Sequence, residues 1–227
     1  MKRKCELIFA LDKSKRRDFI YWLDATKDLI AFYKVGLIAF TALGKDAITL
    51  IKKKKKKVFL DLKFFDIPNT MAGASLNAVN WGVDILDFHL LAGPSSLTAA
   101  LRGIKKASER KKKNLPIILG VTVLTSEVQN STIQFSVLKL ARQALRVGFD
   151  GVVASGKDAK AIRERIGNKI IIASPGIRLE KTRDDQRRTV RPKDVRGYAD
   201  FIIAGRPIYE SKNPRGAIVS ILDELKE

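Results

Sequence analysis

Eight short apolar segments, several of them rich in β-branched residues, recur along the chain with helical patterns between them. Nearly every position within several segments is apolar, which is typical of parallel strands whose two faces are both covered. We predict strands at residues 7–12, 32–36, 58–63, 85–90, 116–124, 151–155, 169–175 and 201–206.

The intervening segments have the spacing of amphipathic helices. Leu97, Leu101 and Ile104, for example, follow one another at intervals of four and three residues, so their side chains share one helix face. Gly148 and Gly167 each come just after such a pattern, where the left-handed residue that ends a helix is commonly glycine. Each predicted strand is therefore followed by a predicted helix.

This alternation predicts an α/β protein with the architecture of a compact (β/α)8 TIM barrel. The chain has 227 residues, enough for this fold, whose lower limit is about 200 residues. No linker or internal repeat divides the sequence, so we predict one domain over residues 1–227. An open, doubly wound parallel sheet is the alternative that the alternation by itself leaves open.

Composition excludes several kinds of site. Cys5 is the only cysteine and His89 the only histidine, which rules out a disulfide framework within the chain and any metal site built on several Cys or His ligands. We expect Cys5 to be a packing thiol and His89 to have a structural or supporting role. No apolar run is long enough for a membrane helix or a signal peptide, so we expect a cytoplasmic protein with no membrane partner.

The charge balance is strongly basic, with 44 Lys and Arg against 24 Asp and Glu and a formal net charge of +20. Such an excess suits nucleic acid, an anionic membrane or an anionic small substrate. The most basic segment is residues 52–57, which are all lysine, and we interpret it as the solvated end of a helix. No nucleic-acid-binding motif accompanies the charge and aromatic residues make up 7%, so we expect no specific nucleic-acid partner.

Charged residues cluster where predicted strands end, which is where active sites lie in barrels of this kind. Asp61 and Lys63 are two positions apart and share one face of the third strand. Asp66 follows on the loop, and Lys34 lies on the neighbouring strand. The alternating charges fit a structural salt-bridge network. They also fit a lysine that flanking carboxylates keep protonated, which would act as a proton donor rather than a Schiff-base nucleophile.

The segment DLKFFDIPNT at residues 61–70 resembles the signature of the orotidine 5′-phosphate decarboxylase family, in its bacterial form. The resemblance implies a (β/α)8 barrel that converts orotidine 5′-phosphate to UMP, the last step of de novo pyrimidine nucleotide synthesis, with no metal or organic cofactor. Six further segments match the family in order and spacing: FALD ending at residue 12, YKVGL at 33–37, VTVLTS at 121–126, SPGIR at 174–178, DQRR at 185–188 and AGRPI at 204–208.

The same resemblance implies the catalytic residues. Lys63 would protonate C6 as the carboxylate leaves, and Asp61 would lie against the substrate carboxylate. Asp66 and Thr70 would reach across the interface of a homodimer and complete the neighbouring site near the ribose. The active species would then be a dimer with shared active sites.

The substrate-binding residues are implied in the same way. Asp12 and Lys34 would hold the ribose hydroxyls, and Thr125 and Ser126 would face the edge of the pyrimidine ring. The loop over residues 178–192 is the candidate lid. The residues expected to bind the phosphate are Arg178, Gln186, Gly205 and Arg206.

The residues by themselves leave two other functions possible. Sister decarboxylases and aldolases of the same barrel superfamily act on sugar phosphates with Mg²⁺ and share the Asp-x-Lys-x-x-Asp pattern. They resemble this chain less on the second strand, because they place an acidic metal ligand where Lys34 lies, and an ammonium would repel Mg²⁺. A nucleic-acid-binding protein is the other alternative, and it rests on the net charge alone.

Overall fold

Eight parallel strands form a closed barrel in the computed structural model, which describes residues 4–111, 114–127, 130–180 and 188–226. The strands pair in chain order, and the first strand pairs with both the second and the eighth. The predicted (β/α)8 barrel is therefore confirmed, and the alternative of an open sheet is wrong. The strands are β1 Glu6–Ala10, β2 Phe32–Gly36, β3 Lys57–Phe64, β4 Ile85–His89, β5 Ile117–Val121, β6 Gly151–Val153, β7 Ile171–Ser174 and β8 Phe201–Ala204.

Helices connect the strands and cover the outside of the barrel. Two helices follow β2, because Gly44, with φ of 56°, interrupts the helical path between them. No helix in the described ranges is both long and apolar enough to span a bilayer. The helices are α1 Arg16–Thr26, α2 Leu37–Leu43, α3 Lys45–Lys53, α4 Pro68–Trp81, α5 Gly93–Lys111, α6 Ser131–Val147, α7 Gly156–Ile166, α8 Pro192–Val195, α9 Arg206–Tyr209 and α10 Pro214–Lys226.

Side chains alternate along each strand between the barrel interior and the layer under the helices. The interior cluster includes Ile8, Phe59 and Ile85, and the rings of Phe32 and Phe201 meet edge to face there, with centroids 5.6 Å apart. A larger apolar cluster fills the space between strands and helices. Both faces of the strands are thus covered, which explains why the strand segments are apolar at nearly every position.

The barrel interior changes from apolar to charged toward the carboxyl ends of three neighbouring strands. On β2, β3 and β4 the next inward position after the apolar layer is Lys34, Asp61 and Asp87, respectively. Charged side chains at these positions are costly inside a barrel unless they contact one another. The fold therefore concentrates opposite charges at one end of the barrel.

Several predicted strands are longer than the observed ones. Strand pairing on β1, β5 and β8 ends at Ala10, Val121 and Ala204, so Asp12 and Thr125 lie in loops that follow the strands. The third strand is instead longer than predicted by one residue at each end, and it runs from Lys57 to Phe64. These shifts leave the candidate residues at the same end of the barrel.

Candidate active site

A cavity of about 210 Å³ opens at the carboxyl ends of the strands. Its apolar wall includes Val121, Val153 and Ile203, which lie on β5, β6 and β8. The barrel thus brings together residues that are far apart in the sequence. The predicted site residues that line the cavity are Asp12, Lys34, Asp61, Lys63, Thr125, Arg178, Gly205 and Arg206.

A chain of alternating charges runs along one side of this cavity. Lys34 Nζ lies 3.2 Å from Asp12 Oδ1 and 3.3 Å from Asp61 Oδ2. Lys63 Nζ in turn contacts Asp61 Oδ1. The Lys63 side chain is 33% exposed, against 11% for Lys34 and Asp61, so its ammonium is the charge in this chain that a ligand in the cavity reaches most easily.

Burial and pairing fix the charge states of the two inner groups. Burial alone would lower the pKa of Lys34, but the nearby carboxylates of Asp61 and Asp12 outweigh it and raise that pKa above its ordinary value. Burial alone would raise the pKa of Asp61, but Lys34 and Lys63 outweigh it and hold that pKa well below its usual range. At neutral pH the inner pair is therefore an ammonium and a carboxylate.

Gly36 provides the space that this ion pair occupies. A Cβ at this position would lie 2.6 Å from Lys34 Nζ and 3.0 Å from Asp12 Oδ1. Such a contact is too short for any side chain, so residue 36 has to be glycine while Lys34 and Asp12 hold their positions. This explains the glycine in the YKVGL segment by packing.

The backbone of Lys63 has an unusual conformation. Its φ is 50°, in the left-handed region that side chains other than glycine rarely adopt. The register between β3 and β4 shifts between Leu60 and Phe64, so the strand bulges here and redirects the lysine. A conformation of this kind costs on the order of 1–3 kcal/mol and persists where surrounding contacts enforce it.

Asp87 is a site residue that the sequence analysis missed. It lies on β4 with its side chain fully buried, and its Oδ1 accepts a hydrogen bond of 2.9 Å from the backbone N–H of Lys63. Burial raises the pKa of the Asp87 carboxyl well above its usual range, and the neighbouring charge of Asp61 raises it further. The available signal was a carboxylate among the apolar residues of the strand ILDFH, on the same face as His89.

Basic residues lie at the other end of the cavity. Arg178 is only 7% exposed, and its Nη1 donates to the carbonyl oxygen of Ile177 at 2.8 Å. The backbone N–H of Arg178 also donates to the carbonyl of Val190, which joins the two ends of the connection that follows β7. Gly205 and Arg206 lie where β8 leads into α9. This part of the cavity is suited to an anionic group.

Three of the predicted site residues that the structure describes do not line the cavity. Asp66, Thr70 and Ser126 are exposed at the same end of the barrel, and Asp66 Oδ1 accepts a hydrogen bond from its neighbour Ile67. Gln186 lies outside the described residues. The role of Asp66 and Thr70 across a dimer interface stays a prediction.

Cys5 and His89, which we expect to have packing or supporting roles, both lie outside the cavity. Cys5 is partly buried and packs against the outer apolar cluster, and burial is the main cause that raises its pKa to about 12. His89 Nδ1 accepts a hydrogen bond of 3.3 Å from Leu91 N–H in the turn after β4.

The lysine run lies at the opposite end of the barrel from the cavity. Lys52 and Lys54 pair with Asp84 and Asp24 at 2.8 and 2.7 Å. Lys57, the first residue of β3, lies 4.9 Å from the ring centroid of Phe32. The run begins in the last turn of α3 and continues to the start of β3, so the prediction of a helix end holds for its first residues. Its charge is separated from the site by the length of the barrel.

A closed parallel barrel with a charged cavity at the carboxyl ends of its strands is the arrangement of a (β/α)8-barrel enzyme. Among the residues that the structure describes, no group of three or more His, Cys, Asp or Glu side chains could hold a metal ion. The charged residues that line the cavity are Asp12, Lys34, Asp61, Lys63, Arg178 and Arg206. Comparison with known proteins identifies the enzyme class.

The sequence profile of the orotidine 5′-phosphate decarboxylase / HUMPS family matches residues 6–221. A relative from Geobacter sulfurreducens named orotidine 5′-phosphate decarboxylase is 38% identical, over 97% of this chain and 95% of that protein. One from Syntrophus aciditrophicus with the same name is 40% identical, over 97% and 92%. The crystal structure of orotidine 5′-phosphate decarboxylase from Lactobacillus acidophilus superposes with a TM-score of 0.84 at 29% identity, covering 98% of this chain and all of that one.

This chain belongs to the orotidine 5′-phosphate decarboxylase family, and it is a carboxy-lyase. The resemblance seen in its sequence motifs is confirmed.

Proposed function

We propose that this chain decarboxylates orotidine 5′-phosphate to UMP without a cofactor, that Lys63 delivers the proton to C6, and that the enzyme is a cytoplasmic homodimer. The observation that carries the proposal is the alternating chain from Asp12 through Lys34 and Asp61 to Lys63 at the cavity wall. Membership of the family indicates the substrate, and the charged side chains indicate how the reaction is catalysed.

The chemistry requires a cation beside the reacting carbon. Loss of CO₂ from C6 leaves a vinyl-type carbanion with no adjacent π-acceptor to delocalise the electron pair. The ammonium of Lys63 stabilises the developing negative charge and then transfers a proton to C6. Lys34 is held between Asp12 and Asp61 and is largely buried. Lys63 is the more exposed of the two lysines, so it is the one that faces the substrate.

Asp61 contributes by its negative charge. Its pKa is held well below the usual range because Lys34 and Lys63 outweigh the effect of burial, so it is ionised when the substrate binds. A fixed carboxylate near the substrate carboxylate disfavours the bound ground state, and that repulsion is relieved as CO₂ leaves. The same carboxylate holds the Lys63 ammonium in position.

Substrate binding follows the length of the cavity. Asp12 and Lys34 hold the ribose hydroxyls, and Thr125 and Ser126 face the pyrimidine edge. The phosphate lies at the basic end, distant from C6, so its binding energy is available for positioning and closure. It is bound by Arg178, Gln186, Gly205 and Arg206.

The experiment that tests this proposal is a decarboxylation assay with purified protein and orotidine 5′-phosphate in excess EDTA. We expect UMP to form at the same rate with EDTA, with added Mg²⁺ and with neither, because Lys63 rather than a metal supplies the cation. A rate that EDTA abolishes and Mg²⁺ restores would contradict the cofactor-free mechanism and favour the metal-dependent sister activity. Absence of any UMP would reject the substrate.

A band of exposed apolar side chains beside the cavity supports the homodimer. We call it the apolar rim; it follows β2, β3 and β4 and flanks Asp66. Exposed apolar patches of this kind commonly mark protein–protein interfaces. A second copy seated on this rim would cover it and carry its own Asp66 and Thr70 to the neighbouring cavity. The rim consists of Leu37, Ile38, Phe65, Ile67 and Leu91, which are 57–66% exposed.

Shared sites predict that two inactive variants restore activity when mixed. Lys63→Ala and Asp66→Asn each disable both sites of their own homodimer. In a mixed dimer, the Asp66→Asn chain keeps its Lys63 and receives an intact Asp66 from its partner, so one site of the two is complete. Activity should therefore reappear after subunit exchange, measured as UMP formation per mixed dimer.

The matched control mixes Lys63→Ala with Asp61→Asn. Asp61 and Lys63 contact each other within one chain, so neither site of that mixed dimer is complete and activity should stay absent. Failure of the Asp66 mixture to recover, with exchange verified by mass spectrometry of differently labelled chains, would mean that each site is built within one chain.

A further inference from the structure

The mechanism above leaves one buried carboxyl in the barrel interior without a role. The Asp87 side chain is fully buried beneath the cavity and lies next to Asp61. Its Oδ1 accepts the Lys63 backbone N–H at 2.9 Å. Its Oδ2 is also buried and has no hydrogen-bond donor among the described residues, so the carboxyl lacks the contacts that an ionised group in this position needs.

Two adjacent buried carboxyls do not both ionise, because the second charge would be repelled by the first in a poorly solvated space. The cations favour Asp61, which contacts both Lys34 and Lys63 through its carboxylate oxygens. From β5, Asp87 is faced by the apolar Leu119 and Val121. Burial first, and then the charge of Asp61, raise the pKa of Asp87 well above its usual range.

The other charged or titratable groups on the inward faces of the neighbouring strands are few. Lys63 is on β3, His89 is two positions along β4, and Lys34 and Asp12 belong to β2 and the loop after β1. Burial lowers the pKa of His89, and Lys63 lowers it further, so this ring is neutral at neutral pH. The surroundings of Asp87 therefore favour a proton on its carboxyl.

We propose that Asp87 is a positioning residue for the decarboxylation: as a neutral carboxyl it donates a hydrogen bond to Asp61 and accepts one from the backbone N–H of Lys63. This inference rests on the proposed function. One hydrogen bond orients the carboxylate that holds the lysine, and the other holds the lysine backbone in its left-handed conformation. Asp87 thus acts on C6 only through Asp61 and Lys63.

The first experiment compares Asp87→Asn with Asp87→Ala. An asparagine has the same shape as a neutral carboxyl, accepts through Oδ1 and donates through Nδ2, so it should preserve kcat to within about tenfold. Alanine removes both hydrogen bonds, and a misplaced reacting group costs about 100-fold, so kcat should fall by about that factor. KM and the affinity for UMP should change by less than about threefold in both variants, since the lost contacts act on the reacting groups rather than on ligand binding.

Two results would overturn the proposal. Wild-type kcat in Asp87→Ala would show that the hydrogen bonds position nothing. Loss of kcat in Asp87→Asn as large as in Asp87→Ala would show that a negative charge at residue 87, and not a neutral group, is required. If Asp87→Ala does not fold, the asparagine variant and the spectroscopic measurement that follows still decide the question.

The second experiment reads the proton directly by infrared spectroscopy. The difference spectrum of the wild type minus Asp87→Asn at neutral pH should contain the C=O stretch of a protonated carboxylic acid, and its absence would overturn the proposal. Asp84→Asn is the matched control, because Asp84 accepts from Val58 N–H at 2.7 Å and pairs with Lys52. It should lose only a carboxylate band and leave kcat unchanged. This readout needs no turnover, so it separates failure of this inference from failure of the proposed function.

Discussion

Replacing Lys63 with alanine should reduce decarboxylation at least about 10⁴-fold while the protein stays folded and still binds UMP. The expected loss combines proton transfer, about 10²–10⁴-fold, with the electrostatic contribution of a fixed cation, about 10²–10³-fold. The barrel should tolerate the change because the Lys63 side chain is a third exposed. Single-turnover decarboxylation and UMP titration measure the two effects separately.

Lys55→Ala is a matched control for this prediction. Lys55 is also a lysine with positive φ, 57°, but it is exposed and follows α3 at the other end of the barrel. It should keep wild-type turnover and show whether removal of a lysine from a left-handed position affects stability by itself. Turnover near the wild-type level in Lys63→Ala would rule out Lys63 as the proton donor.

The barrel could be predicted from the sequence because its strands are covered on both faces. That burial requires apolar residues at nearly every strand position, and the resulting short runs are visible without any structure. The positions of the strand ends were predicted less accurately. The fifth strand was predicted to reach residue 124 but ends at Val121, and Thr122 then donates through N and Oγ1 to the carbonyl of Val153. The loop residues after Val121 include β-branched Thr122 and Val123, so their sequence resembles that of a strand.

The candidate site was predictable where its charges come from separate strand ends. Lys34, Asp61 and Lys63 are charged residues in or beside apolar strands, and the barrel topology brings them together. Asp87 was missed because a single buried carboxyl gives no pattern in the sequence, and its partners become apparent only from the register and bulge of β3. The contact of Asp66 with a neighbouring site depends on a second chain, so it remains a prediction.

A buried ion pair beside the cavity was likewise not predictable from the sequence. Arg188 is fully buried and contacts Asp158 of α7, which is also buried. Ser155 Oγ donates to the carbonyl of Arg188 at 3.0 Å, and Arg188 N–H donates to the carbonyl of Thr125. These contacts join three loops at the carboxyl end of the barrel. The charge-rich sequence around residue 188 did not distinguish this anchored arginine from solvated loop residues.

We expect the phosphate to contribute more binding energy than any other group of the substrate. Arg206 lies at the basic end of the cavity beside Gly205, and Arg178 lies at the same end. An arginine binds a phosphate through short, often bidentate hydrogen bonds that salt screens less than it screens separated surface charges. Since this energy is used to position C6, its loss should affect the reaction as well as binding.

Arg206→Ala should therefore raise KM roughly 100-fold or more, the usual cost of removing one member of a buried charge pair, and lower kcat as well. The control replaces the six lysines of residues 52–57 by glutamine, which removes more positive charge from the opposite end of the barrel. Both constants should then stay within about threefold at physiological salt, while non-specific polyanion binding falls with the number of phosphates neutralised. A small KM effect in Arg206→Ala would contradict its role at the phosphate. A sequence-selective nucleic-acid complex that survives high salt and is lost with the lysine run would give the basic surface a function separate from this site.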